Sequence, residues 1–176
     1  MVMQYLPLTF EMHLNDSGWL SPGDILRIAR EAIEVIASIH QQGIIHGGIT
    51  ERDLAFDKDG KLVLIDFSRC IGEPKLENIS DEMGWRIEVS YRADLRALVL
   101  VLWSLIERAV PRLPKNALAE ERVKFQHDVS SLDHALLLDK LPQSFVWLKR
   151  LVAYSYGLSF TGKPDYALLS LWFPEA

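Results

Sequence analysis

Residues Ile39 to Cys70 read I-H-Q-Q-G-I-I-H-G-G-I-T-E-R-D-L-A-F-D-K-D-G-K-L-V-L-I-D-F-S-R-C, and this stretch decides how the rest of the chain is read. Ile39-His40 ends an amphipathic helix, Gly43-Ile44-Ile45 is a short apolar strand, and His46 opens a polar loop. Leu54-Ala55-Phe56 and Leu62-Val63-Leu64-Ile65 read as two strands joined through Asp57-Lys58-Asp59-Gly60, because Asp-Gly between apolar runs is a strong hairpin signal. That hairpin returns Asp66 and Phe67 to the side of the His46 loop.

Upstream, Ser21-Pro22-Gly23-Asp24 is a helix start, with Ser21 as N-cap and Pro22 in the first turn. Ile25, Ile28, Ala29, Ala32, Ile33, Ile36 and Ile39 follow at helical spacing, with Arg27, Arg30, Glu31 and Glu34 on the other face. His40 reads as a helix-end residue. Downstream, 69–91 is polar and broken by Gly72, Pro74 and Gly84, which predicts a loop; Trp85 reads as exposed within it. A helix over Asp94 to Glu107 is apolar nearly all round, so it belongs at the centre of the fold.

The chain has 176 residues, 49% of them hydrophobic, enough for one sizeable core, and a single domain over 1–176 is expected. The net charge of −5 and the lack of a basic block point away from nucleic acid and from anionic membranes as partners. One cysteine, Cys70, excludes an internal disulfide framework and suits a reducing compartment. No N-terminal signal pattern is visible, and the longest apolar run, Ala97 to Ile106, is too short to cross a bilayer. A cytoplasmic or nuclear placement is expected.

The order His46-Gly47-Gly48-Ile49-Thr50-Glu51-Arg52-Asp53, a hairpin, then Asp66-Phe67-Ser68 resembles the catalytic core of the protein kinases, with their H-R-D-L-x-x-x-N loop and D-F-G turn. The ending Leu141-Pro142-x-x-Phe145, Leu158-Ser159-Phe160 and Lys163-Pro164-Asp165-Tyr166 resembles that of the casein-kinase-I family. Glu120 to Phe125 then reads as a helix end, and Ser130-Ser131-Leu132-Asp133 as a helix start. The resemblance implies a mainly α fold with a small β-hairpin, a kinase-like C-lobe around a buried central helix. Residues 1–8 look like a strand and hinge, 46–53 like the catalytic loop, and 66–91 like a short activation segment. No G-x-G-x-x-G occurs, and no N-lobe is expected.

Residue by residue, the resemblance implies losses. Gly48 stands where the family carries its base, Thr50 where it carries a phosphate-steadying lysine, and Gly47 where it carries an arginine. Asp53 replaces a metal-binding asparagine, and Asp66 matches the principal metal-binding aspartate. His46 and Phe67 match packing positions; Asp94 matches an aspartate that accepts hydrogen bonds from the catalytic-loop backbone, and is a good N-cap in its own right. Asp53 and Asp66 can equally serve as loop residues that satisfy backbone N–H groups. They are the two carboxylates able to ligate a hard cation, but no metal site and no cofactor is expected.

These losses lead to the expectation of a non-enzyme, a pseudokinase lobe acting as an interaction or regulatory module. A protein partner or a second copy is expected over the hinge and cleft face, through Leu6, Leu8, Phe56 and Phe67. Two alternatives are a protein phosphotransferase completed in trans by a partner N-lobe, with Glu51 or Asp53 as substitute base, and a small-molecule phosphotransferase of the aminoglycoside-kinase type. A remnant without selected function, poorly stable because cut from its neighbour, is a further one.

Overall fold

The computed structural model describes residues 8–9, 20–80, 85–109 and 145–173. The stretch 1–7 with Leu6, the helix signals at 120–125 and 130–133, and 141–144 lie outside the described residues.

Helix α1, Pro22–Gln41, starts where the local chemistry dictates. The Ser21 hydroxyl accepts from the Asp24 N–H at 3.1 Å, and the Asp24 carboxylate accepts from the Ser21 N–H at 3.0 Å, a reciprocal capping box. Its isoleucine stripe is buried in the main core. Glu31, assigned to its outer face, does more than that spacing suggests. Glu31 accepts an ion-pair contact from Arg27 and also accepts the Leu62 N–H at 2.8 Å, which ties the helix to the hairpin. His40 stands in the last turn, as its position suggests, and is buried there.

The hairpin is present as strands β2, Leu54–Phe56, and β3, Leu62–Leu64, paired antiparallel with Ala55 opposite Val63. Asp57 organises its turn by accepting the N–H groups of Asp59 and Lys61, both at 2.9 Å, and Gly60 takes the positive φ of 75° that closes it. A third strand, β1, Leu8–Thr9, adds to β2 with Leu8 opposite Phe56. Phe56, expected as a surface contact, is instead buried at 6% exposure beneath the Arg27 guanidinium. Its strand lies between β1 and β3, so it belongs to the core. Gly43 to Ile45 forms no full strand, only a two-way bridge between Ile45 and Ile71 at 2.8 and 2.9 Å.

The stretch read as a polar loop is a second hairpin, β4, Lys75–Ser80, and β5, Trp85–Val89. The two pair antiparallel from Lys75 opposite Val89 to Ser80 opposite Trp85, with an irregularity between Asn78 and Ser80. Trp-Arg-Ile-Glu-Val carries the two-residue alternation of a strand, but the apolar Leu76 and Ile79 of its partner lie three apart across the irregularity, and Gly72, Pro74 and Gly84 flank the pair.

Helix α2 runs Tyr91–Ala109, and from Val101 to Ile106 every residue is buried. It begins three residues before Asp94, with Ser90 at its start: the Ser90 hydroxyl accepts the Ala93 N–H at 3.1 Å. Helices α3, Val146–Gly157, and α4, Tyr166–Ser170, complete the described elements. The architecture is mainly helical with small antiparallel sheets, compatible with a kinase C-lobe-like arrangement. No described helix is long and apolar enough to cross a membrane.

Candidate functional site

Asp94 is 1% exposed and holds the His46 loop in place. Its Oδ2 accepts the backbone N–H of His46 at 2.7 Å, and its Oδ1 accepts that of Gly47 at 3.0 Å. A buried carboxylate accepting two backbone N–H groups is a strong, directional anchor. Asp94 thus accepts from the loop backbone, while the side chain that caps the start of α2 is that of Ser90.

The same carboxylate takes a third contact. His40 Nε2 lies 3.0 Å from Asp94 Oδ2, and the Tyr166 hydroxyl meets His40 Nδ1 on the other side of the ring. One neutral tautomer satisfies both: Nε2–H donates to Asp94, and Nδ1 accepts from Tyr166. Burial pushes the Tyr166 phenol well above its ordinary range, with the Asp94 charge and the Tyr154 and Tyr91 rings adding to it, so it remains a donor. The partners are 54 and 126 residues apart, and no local pattern in the sequence announces them.

The ending Lys163-Pro164-Asp165-Tyr166 feeds into this network. Lys163 Nζ lies 5.8 Å from the Tyr91 ring centroid, Pro164 is buried, and Asp165 caps α4 by accepting the Leu168 N–H at 3.0 Å. The Asp165 N–H donates to the Tyr154 hydroxyl at 2.7 Å. The motif thus fastens the last helix to the loop anchored by Asp94.

His46 is 2% exposed, its Nε2 3.0 Å from the Ile65 carbonyl and its ring edge-on to Phe67 at 5.2 Å between centroids. The imidazole joins the loop to the Asp66-Phe67-Ser68 turn as a packing residue. Gly47 has a φ of 81°, and a Cβ there would sit 2.7 Å from the Arg69 carbonyl oxygen. No side chain, arginine included, fits at 47 without moving that backbone.

Thr50 and Asp53 form their own capping box around the 3-10 turn Glu51–Asp53. The Asp53 Oδ2 accepts the Thr50 N–H and hydroxyl, both at 2.7 Å, and Asp53 is 8% exposed. Its backbone carbonyl also accepts the Ile65 N–H at 2.7 Å. This carboxylate is committed to the loop, which disfavours it both as a substitute base and as a ligand.

Asp66 is placed differently. It is exposed, non-glycine, and in the left-handed region at φ 59° and ψ 69°, a conformation that costs of order 1 kcal/mol and recurs at functional sites. Its Oδ1 accepts the Ser68 N–H at a long 3.3 Å. Hydrogen bonds from the Ser68 hydroxyl and backbone, with the nearby His46, hold its carboxyl below the ordinary range, so it is ionised at neutral pH. Phe67 is 40% exposed beside it. Leu8 supplies its backbone to β1. No group of three or more metal-ligating side chains occurs among the described residues.

Comparison with curated proteins bears on what this loop and turn are. The chain is 25% identical over 131 residues to the serine/threonine-protein kinase shk1/pak1 of Schizosaccharomyces pombe, covering 67% of this chain and 20% of that protein. It is 26% identical over 110 residues to the serine/threonine-protein kinase SMU1 of Mycosarcoma maydis, covering 56% of this chain and 15% of that one. To the probable serine/threonine-protein kinase ndrC of Dictyostelium discoideum it is 36% identical over 89 residues, 46% of this chain and 6% of that one. The chain thus spans a fifth or less of the length of these relatives. No family model matches it. The similarity supports a place in the kinase-like superfamily. It also overturns the expectation, drawn from Gly48, Thr50 and the missing N-lobe, that the chain is not an enzyme, because its relatives are named as protein kinases.

Proposed function

We propose that the chain is the loop-bearing, C-lobe-like part of a protein phosphotransferase acting on serine or threonine hydroxyls. The observation that carries this reading is Asp66: an ionised, exposed carboxylate in a strained backbone conformation, in register with a loop that Asp94 anchors. The kinase names of its relatives supply the reaction class. The order of the Leu141-Pro142, Leu158-Ser159-Phe160 and Lys163-Pro164-Asp165-Tyr166 segments favours the casein-kinase-I branch.

Phosphoryl transfer demands little covalent chemistry from the protein; it demands placement of phosphates and stabilisation of their charge. The absence of a side chain at Gly48 removes a general base, which contributes ~10²–10⁴-fold to rate and leaves the positioning contribution intact. The donor set fits a hard divalent cation of the kind that binds through one or two carboxylates plus substrate phosphates, and Asp66 is the residue that would hold it. Such a cation, when bound, would neutralise phosphate charge. A partner on the face that exposes Phe67 would supply the elements that cover the nucleotide.

Calorimetry and thermal shift with Mg²⁺ and ATP test the reading. A saturable response that is lost in Asp66→Asn supports it. No response, either from the chain alone or from the chain captured with its cellular partners, overturns it.

A further inference from the structure

Gly48 is crowded by one side chain. A Cβ at residue 48 would lie 3.3 Å from Arg69 Nη1, 3.7 Å from Cζ and 3.8 Å from Cδ, so the guanidinium and the end of its stem run along the loop at that residue. The φ of Gly48 is not in the left-handed region, so the empty space there serves the neighbouring side chain rather than the backbone.

Arg69 has little freedom to be elsewhere. It ends the 3-10 turn Phe67–Arg69 that Asp66 caps, and its carbonyl is pressed against Gly47. Two residues on, Ile71 is bridged in both directions to Ile45. Its backbone is therefore clamped by the loop on one side and the turn on the other, and the residue is exposed. Among the described residues the guanidinium has no ion-pair partner. Asp53 is spent on Thr50, and Asp66 is turned to Ser68.

An exposed guanidinium, three residues from an ionised carboxylate and lying on a side-chain-free strip of loop, has donors to offer and no ion-pair acceptor among the described residues. Arginine presents planar, paired N–H donors that match the oxygens of a phosphate. The geometry points to Arg69 as a phosphate-binding residue, its guanidinium donating to the terminal phosphate oxygens of a nucleoside triphosphate beside Gly48. This rests on the proposed phosphotransferase reading for the identity of the ligand, and it assigns the steadying positive charge that Thr50 does not supply.

The test titrates the wild-type chain, Arg69→Ala and Arg69→Lys with Mg²⁺–ATP, inorganic pyrophosphate and adenosine. Folding of each variant is checked by its unfolding midpoint, which an exposed side chain should barely move. Arg69→Ala is expected to weaken ATP and pyrophosphate binding by roughly tenfold or more, as a charge-assisted hydrogen bond warrants, and to leave adenosine unaffected. Arg69→Lys is expected to recover part of the loss. Equal pyrophosphate affinity in wild type and Arg69→Ala, or no pyrophosphate binding by wild type, overturns the assignment of Arg69. Arg69-dependent pyrophosphate binding without phosphoryl transfer leaves the assignment standing and removes the phosphotransferase reading. Transfer that survives unchanged in Arg69→Ala does the reverse.

Discussion

His40 Nε2 and Asp94 Oδ2 lie 3.0 Å apart with both side chains almost wholly buried, joining the last turn of α1 to the first turn of α2. Because Asp94 also accepts from His46 and Gly47, one carboxylate fixes two helices and the loop together. Asp94→Ala strands two buried backbone donors and one imidazole N–H. Removing one partner of such a buried set costs about 3–5 kcal/mol. Urea unfolding should show that loss as a lower midpoint, and a change below about 1 kcal/mol would mean the loop is held by something else.

Tyr166→Phe keeps the ring and removes one hydroxyl from His40 Nδ1. The expected loss is about 1–2 kcal/mol, the cost of leaving a buried polar atom unpaired. Because Tyr166 belongs to α4, hydrogen exchange should quicken there and in the last turn of α1. Unchanged exchange at His40 would show that α4 is fastened by Asp165 and Lys163 instead.

The two glycines of the loop should respond differently. Gly47→Ala sets a side chain at φ 81° and 2.7 Å from the Arg69 carbonyl, so it should destabilise by more than about 1 kcal/mol. Gly48→Ala meets only the movable end of an arginine side chain, so it should fall within about 0.5 kcal/mol of wild type. Paired thermal melts decide it, and equal shifts would contradict the loop geometry.

Glu88 gives the fold an acid limb. Burial raises its pKa, but hydrogen bonds from Arg92 and Ser90 and the charges of Arg92 and Arg96 outweigh that, and the net direction is down. The Arg92 Nε–Oε1 and Nη2–Oε2 contacts are 2.6 and 3.0 Å. A carboxylate depressed in the folded state adds stability that is fully present above its unfolded value and is lost as pH falls through the folded one. Stability should therefore drop between neutral pH and pH values below the ordinary glutamate range. In Glu88→Gln that drop should be shallower, with lower stability at neutral pH; parallel acid limbs in urea titrations would exclude Glu88 as a cause.

What could be read from residues alone was whatever local chemistry encodes. Ser21 and Asp24 announce a helix start, Asp59-Gly60 announces a hairpin, and an unbroken apolar run from Leu98 to Leu102 announces a buried helix. Long-range pairings were out of reach. Nothing adjacent to His40 marks it as a partner of Tyr166, and nothing in Gly48 shows that Arg69 lies along it. The β4–β5 hairpin was hidden for a different reason: only β5 alternates, β4 breaks its period at the irregularity near Asn78, and turn formers stand at the edges. At the site, the positions of Asp53 and Asp66 were legible, but their difference was not. One is buried in a cap, the other exposed and strained, and only geometry separates them.

The most direct test of the phosphotransferase reading uses the chain purified from its native cells with its bound partners, supplied with Mg²⁺ and ATP labelled at the γ-phosphate. Wild type should place label on serine or threonine of a protein acceptor, and Asp66→Asn prepared the same way should lose nearly all of it. Equal labelling by wild type and Asp66→Asn, or none by either, would contradict the account.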